Sequence, residues 1–180
     1  IKGNGKTMKF TSPDDFTVDQ DGNWSLALHE ALLDGTYNVK FEAVDKAGNE
    51  SSADRELVID TTISVSGRLS AASDSGESDS DQITSIKTPI FTGRGEAGAT
   101  VTLTINGKQL TTEVDKDGYW SIAVKDDLKD GKYQVDISIK DLAGNTDSVP
   151  SFEVTIDTQP PSIDSIKMTS DTGSDNADGI

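Results

Sequence analysis

Four short motifs occur twice along the chain, in the same order, and their spacing restricts the fold more than anything else in the sequence. Asp21-Gly22-Asn23-Trp24-Ser25 returns as Asp117-Gly118-Tyr119-Trp120-Ser121. Asp34-Gly35-Thr36-Tyr37 returns as Asp130-Gly131-Lys132-Tyr133, and Asp45-Lys46-Ala47-Gly48-Asn49 as Asp141-Leu142-Ala143-Gly144-Asn145, all at an offset of 96 residues. Ile59-Asp60-Thr61 returns one residue later, as Ile156-Asp157-Thr158. Past the second copy, Asp74-Ser75-Gly76, Asp81 and Ile83 reappear as Asp171-Thr172-Gly173, Asp178 and Ile180. Solenoid repeats run to about 20–50 residues. This longer period fits separate domains in tandem. The chain reads as the C-terminal part of one module (1–60), a complete module (61–157) and the start of a third (158–180).

Within the complete module the apolar residues recur every second position. Val101, Leu103 and Ile105 alternate with threonine, and Trp120, Ile122 and Val124 with small or polar neighbours. Val135, Ile137 and Ile139 follow the same rule, as do Phe152, Val154 and Ile156. One apolar and one wet face is the pattern of an antiparallel sandwich. Turn signals at Gly95 to Gly98, Asn106-Gly107, Asp117-Gly118, Asp130-Gly131 and Gly144-Asn145 separate the runs. Seven strands are predicted, near 63–69, 88–94, 99–106, 108–115, 119–124, 132–140 and 151–157. The fold class is all-β, with tandem Ig-like antiparallel β-sandwiches. Residues 1–60 match only the last five of these strands, which predicts an open edge and a half-covered core. Trp24 and Trp120 share one repeat position and are both expected in the core.

A formal charge of −16, from 32 acidic and 16 basic residues, excludes a general nucleic-acid or anionic-membrane binder. Self-repulsion on this scale favours neutralisation by a divalent cation. With no cysteine there is no disulfide framework, Cys-ligated zinc or thiol nucleophile. No apolar run approaches the roughly 20 residues of a membrane span, and no signal peptide precedes Ile1, so the chain reads as a piece of something longer, monomeric by expectation.

In an alternating sandwich, entry at Thr61 and exit at Asp157 fall at opposite poles. The entry pole should also hold the turn at Asp115 and Asp117 and a loop from Asp141 to Pro150. There Asp60, Asp141 and Asn145, with Asp115 or Asp117, can converge across the joint between modules. At the exit pole Asp157 can meet Asp74, Glu77, Asp79 and Asp81, from a loop with four acids in eight residues and no base. Calcium takes six to eight oxygen ligands without rigid geometry, which suits such clusters, and unpaired carboxylates repel one another unless a cation lies between them. The competing reading is a solvated acidic loop. Asp-x-Asp-Gly at 19–22 and 115–118 has the opening of an EF-hand loop without its later ligands, and reads better as a hairpin turn.

The segment from Phe91 to Val101, with Gly93, Glu96, Gly98 and Ala99, resembles a motif of bacterial Ig-like domains, with Ala97 where that family usually has proline. The blocks at 117–121, 128–133 and 141–145 resemble its later motifs in the same order. The resemblance implies tandem Ig-like domains of giant adhesins that Gram-negative bacteria export by type I secretion. It further implies a secreted, cell-surface, Ca2+-stiffened array serving adhesion to host cells or biofilm formation, whose modules contact their neighbours in the same chain. The alternatives are modules that themselves bind a host glycan or protein, or a linker in a secreted polysaccharide-degrading enzyme. Catalysis within the chain is not expected. His29 is the only histidine, and Lys125 stands at its repeat position.

Overall fold

The computed structural model describes residues 1–11 and 14–163, and every regular element in them is a β-strand. The expected third module lies outside the described residues from 164 onward, including Asp171, Thr172, Gly173, Asp178 and Ile180. Among the described residues no helix is long and apolar enough to cross a membrane.

Residues 1–60 form one four-stranded sheet. β1 (Lys2–Gly3) and β2 (Lys6–Thr7) make a small hairpin, and β3 (Gly35–Val44) and β4 (Glu50–Ile59) a long one. The order is β2-β1-β3-β4. The β3–β4 register runs unbroken from Gly35 opposite Ile59 to Val44 opposite Glu50. Little covers this sheet. Tyr37 is its one buried hydrophobic side chain, whereas Val44, Leu57 and Val58 are exposed.

The second unit is a complete sandwich. One sheet has the order β10-β7-β5, from β5 (Val65–Leu69), β7 (Ile90–Gly95) and β10 (Tyr119–Ala123). The facing sheet has the order β6-β12-β11-β8-β9. It comprises β6 (Ile83–Thr84), β8 (Thr100–Ile105), β9 (Lys108–Glu113), β11 (Gly131–Lys140) and β12 (Thr146–Ile156). All seven expected strands are present. The eighth, β6, has two residues and pairs parallel with β12 through Thr155–Ile83 and Ile156–Thr84. The inward positions read from the alternation make the core. Val101, Leu103, Val135, Ile137 and Val154 are at most 1% exposed.

Two expectations are corrected. The segment expected as a loop from Asp141 to Pro150 is a tight hairpin at 141–145, with β12 starting at Thr146. Pro150 lies inside that strand because the pairing shifts there: Val135 faces Phe152 and Ile137 faces Val149, so Pro150 and Ser151 together oppose Asp136. Such a bulge tolerates a residue with no N–H to donate. Ser151 fills the gap, its hydroxyl donating to the Val135 carbonyl at 3.2 Å and to the Asp136 carboxylate.

The second correction is Trp24, which is half exposed, at 47%, while Trp120 is 3% exposed. Trp120 lies against β5 and β7, where Gly67 and Gly93 leave room for the indole and the Ser66 carbonyl accepts its N–H at 3.1 Å. Among the described residues of 1–60 there is no counterpart of those two strands. Trp24 packs instead beside Phe16 and Phe41, at ring separations of 5.5 and 5.3 Å.

A Cβ at Gly93 would lie 1.9 Å from the Ser66 carbonyl oxygen and 2.7 Å from the indole. Neither the paired backbone nor the packed ring can yield cheaply, so Gly93→Ala should destabilise the sandwich by about 1–3 kcal/mol, the usual cost of overpacking. Denaturant unfolding followed by tryptophan fluorescence measures this. An unchanged midpoint would contradict the packing described.

Candidate metal centre

The same carboxylate device builds four turns. Asp19, Asp45, Asp115 and Asp141 each stand at the end of a strand or bridge and close a five-residue loop. Asp141 Oδ1 accepts the backbone N–H groups of Gly144 and Asn145 at 2.6 and 2.7 Å, and Oδ2 accepts the Asn145 side chain at 2.8 Å. Asp45 makes the equivalent bonds with Ala47 and Asn49. Asp115 Oδ1 accepts from Asp117 and Tyr119, and Asp19 from Asp21 and Asn23. The Asp-x-Asp-Gly segments are therefore side-chain-closed hairpin turns.

At the joint this device fixes more than a turn. Asn145 Nδ2 also donates to the main-chain carbonyl of Asp60 at 3.0 Å, tying the linker after β4 to the hairpin after β11. The linker is held again where Val65 N donates to Asp147 Oδ2 at 3.1 Å. Asp60 and Asp141 are thereby brought together with Glu96, in the turn between β7 and β8. One carboxylate oxygen from each lies within 4.8 Å of the other two. Asp141 is buried, Asp60 half-buried and Glu96 exposed. None of the three belongs to an ion pair among the described residues.

The electrostatics follow from this crowding. Loss of hydration, followed by repulsion from Asp60 and Asp141, pushes the Glu96 carboxyl above its ordinary value. Asp141 also loses hydration, which acts upward. The bonds from the Asn145 side chain and from the N–H groups of Asn145, Gly144 and Ala143 outweigh this and hold its carboxyl below the ordinary value. Asp141 is thus fixed as an anion, and Glu96 carries the strain of standing beside two others.

The donor set suits a hard divalent cation. Oxygens bound to calcium lie about 2.3–2.6 Å from it, so two ligands of one ion are separated by at most about 5 Å. Three carboxylates within that limit, with no Lys or Arg paired to them, fit as a partial shell. Asp60, Glu96 and Asp141 would hold the ion, with Asn145 as the brace between the first and the third.

The other acids named from the sequence are placed elsewhere. Asp115 is occupied by its turn, and Asp117 forms an exposed pair with Lys116 at 2.7 Å. At the exit pole Asp74 is buried, Asp81 Oδ1 accepts Ile83 N at 3.0 Å, and Asp157 Oδ1 accepts Gln159 N at 3.0 Å. Glu77 and Asp79 are exposed. Among the described residues Asp74, Glu77, Asp79, Asp81 and Asp157 form no comparable group of three.

In the sequence Glu96 stands out only as part of the Phe91–Val101 motif, not as a ligand. The available signal is a lone acid inside the Gly95–Gly98 turn, because Val65 and Gly95 are register partners at the entry end of the sheet. Nor does the sequence reveal the Asp-Gly-x-Tyr clamp. The Thr61 hydroxyl donates to Asp34 at 2.7 Å, and in the second module the Thr158 hydroxyl donates to Asp130 at 2.8 Å. These bonds hold both carboxyls below the ordinary range. Tyr37 and Tyr133 complete it, each donating its hydroxyl to the carbonyl four residues upstream, Leu33 and Lys129. That is the tyrosine corner of Ig-type sandwiches.

The profile of the bacterial Ig-like domain family matches twice, at residues 2–61 and 62–158. The chain belongs to that family. No curated protein matches significantly. Among solved structures, a tetra-tandem repeat in the extending region of a large adhesion protein is similar at 24% identity and a TM-score of 0.48, covering 79% of this chain and 41% of that one. A Ca2+-stabilized adhesin that helps an Antarctic bacterium bind ice is similar at 24% identity and a TM-score of 0.33, over 67% and 31%. A 1.5-MDa bacterial ice-binding adhesin gives 24% identity and a TM-score of 0.32, over 69% and 41%. The bacterial Ig-like pair thus spans between 31% and 41% of the length of these chains.

The raised Glu96 carboxyl has a defined consequence without metal. A group whose pKa is higher folded than unfolded contributes stability below its unfolded value, near 4.5, and loses it as pH rises through the folded value. At neutral pH the Glu96 charge therefore opposes folding. In EDTA, Glu96→Gln should match or exceed the wild type in denaturant stability at pH 7, with the difference shrinking toward pH 4. A variant less stable at pH 7 would contradict this.

Proposed function

We propose that this chain is a spacer segment of a long, repetitive adhesin at the bacterial surface, stiffened by calcium at the joints between its modules. The observation that carries the reading is the convergence of Asp60, Glu96 and Asp141 at the joint, with no base to neutralise them. Asp60 comes from the linker, and Glu96 and Asp141 from two different turns of the following module. An ion held by all three would oppose hinging about residues 60–64. Without the ion the same charges repel, and the linker keeps only its neutral tethers. The module beyond Asp157 would supply the equivalents of Glu96 and Asp141 for the next joint. In this reading the adhesin is exported, and contact with host cells or biofilm matrix belongs to other parts of it.

A second reading has one observation in its favour. A shallow depression of about 740 Å³ lies over the β5-β7-β10 sheet, lined in part by Arg68, Arg94 and Tyr119. The Arg94 guanidinium stacks 3.9 Å from the Tyr119 ring, which is half exposed. This aromatic spot, with Glu113 and Asp115 beside the two arginines, suits a polar saccharide stacked on Tyr119. It lies on one sheet face, whereas the joint acids explain the tandem arrangement, so the spacer reading is preferred. A catalytic role has no comparable support: His29 is exposed and the repeat does not keep it.

Two measurements test the spacer reading. Small-angle scattering of the chain in millimolar calcium should give a longer, less variable particle than in EGTA, and identical profiles would count heavily against it. If the joint binds at about 10⁻⁴ M, millimolar calcium stabilises by about 1.4 kcal/mol, or a melting rise of about 6–11 °C. Asp60→Ala should remove most of that rise and leave the calcium-free melt nearly unchanged. Equal loss in both conditions would make Asp60 an ordinary structural residue.

A further inference from the structure

Two hairpins of this chain turn through an Asn-Gly pair, and the fold surrounds them differently. In the second module Ile105 pairs with Lys108, so Asn106-Gly107 is the whole loop between β8 and β9. In residues 1–60 Gly3 pairs with Lys6, which leaves Asn4-Gly5 as the loop between β1 and β2. Both residues of each pair have positive φ, +51° and +70° at Asn106 and Gly107, and +46° and +72° at Asn4 and Gly5. That is the type I′ turn, for which Asn-Gly is a preferred sequence. Both loops read Asn-Gly-Lys, so local sequence does not separate them.

An Asn-Gly peptide carries a reaction of its own. The glycine nitrogen can attack the side-chain carbonyl carbon of the asparagine and close a five-membered imide. Glycine obstructs this approach least, because it has no Cβ. A Cβ at Gly107 or at Gly5 would meet nothing within 4 Å, so no other part of the chain crowds either turn. The asparagine amides are what differ. Asn4 Nδ2 donates to the Asp34 carbonyl at 2.8 Å and to the Tyr37 hydroxyl at 3.0 Å. Tyr37 is buried, and its own hydroxyl donates to Leu33. The Asn4 amide is thereby fixed, and turning it toward Gly5 N breaks both bonds. Asn106 is exposed, and among the described residues its side chain has no hydrogen-bond partner. The neighbouring Lys108 is engaged with Asp126, at 2.7 Å. β9 also lies at the edge of its sheet, where local opening of the hairpin tip costs little.

We propose that Asn106 is a site of spontaneous covalent modification in the folded chain. The Gly107 nitrogen gives up its proton and bonds to Asn106 Cγ. The Cγ–Nδ2 bond breaks, and the leaving nitrogen takes a proton and departs as ammonia. Water then opens the imide. Cleavage of the new bond gives aspartate, and cleavage of the original peptide bond gives isoaspartate, whose main chain runs through the side-chain carbon. Asp-Gly also suits a type I′ turn, so the aspartyl product keeps the hairpin and adds a carboxylate to an acidic surface. The isoaspartyl product lengthens the main chain of a two-residue loop, and the Ile105–Lys108 pairing has to yield. The modification is independent of the joint and of the spacer reading.

The test is incubation of the whole chain in warm, mildly alkaline buffer, with peptide mapping by mass spectrometry at intervals. Asn106 should convert steadily to a mixture of aspartyl and isoaspartyl peptides, and faster as the pH is raised. Asn4 should lag by roughly tenfold or more, because two hydrogen bonds of ordinary net strength must break first. In concentrated urea, where neither turn persists, the two sites should convert at similar rates. Tyr37→Phe removes one of the two Asn4 bonds and should raise the Asn4 rate severalfold while leaving Asn106 unchanged. If that variant unfolds residues 1–60, the comparison of native with urea-treated wild type carries the test by itself. Equal rates in the folded chain, a faster Asn4, or an Asn106 that converts only in urea would overturn the proposal.

Discussion

The carboxylate of Asp141 holds the hairpin between β11 and β12 and at the same time supplies charge at the joint. Its Oδ1 is occupied by two backbone N–H groups and its Oδ2 by the Asn145 side chain. One oxygen of this carboxylate also lies within 4.8 Å of oxygens from Asp60 and Glu96. Because the turn fixes the side chain, the anion cannot swing into solvent to escape its neighbours. Asn145 then carries the constraint across the boundary by binding the Asp60 carbonyl. A local folding device thus becomes an element of the contact between modules.

The two modules show what the device does with and without a covering sandwich. Asp45 closes its turn with the same bonds as Asp141, yet it is exposed, and the sheet behind it buries only Tyr37 among its hydrophobic side chains. Turn chemistry is therefore local and survives the absence of a core. Burial of Trp120 is not local. It needs β5 and β7, and the two glycines that admit the ring. Trp24 occupies the same repeat position and is left half exposed because those strands have no counterpart among the described residues of 1–60.

This contrast explains what could be read from sequence. The apolar alternation in β8, β10, β11 and β12 gave the inward faces correctly, since period two leaves a strand no other way to bury them. The doubled motifs led to the tandem arrangement, and the family profile matches twice. Features that depend on two strands meeting were harder to see. The bulge at Pro150 exists only in the pairing with β11, and β6 is too short to have a periodicity. Glu96 illustrates the same limit at the joint. Its neighbours in sequence are glycine and alanine, and its significance comes from the register that sets Gly95 beside Val65.

The acids of the chain also differ in the work their charges do, which net charge alone hides. Asp34 and Asp130 are occupied by threonine hydroxyls, and Asp19, Asp45, Asp115 and Asp141 by backbone N–H groups. These hydrogen bonds favour the charged form of the carboxylates, so their ionisation costs the fold little. Glu96 is different. Among the described residues it is the acid whose carboxyl is pushed upward by its surroundings, through desolvation first and then Asp60 and Asp141. A cation at the joint would act on the three acids that crowd one another there. Rigidity at residues 60–64 would then depend on an ion shared by Asp60, Glu96 and Asp141, of which Glu96 is the one whose charge is unfavourable in the folded chain without it.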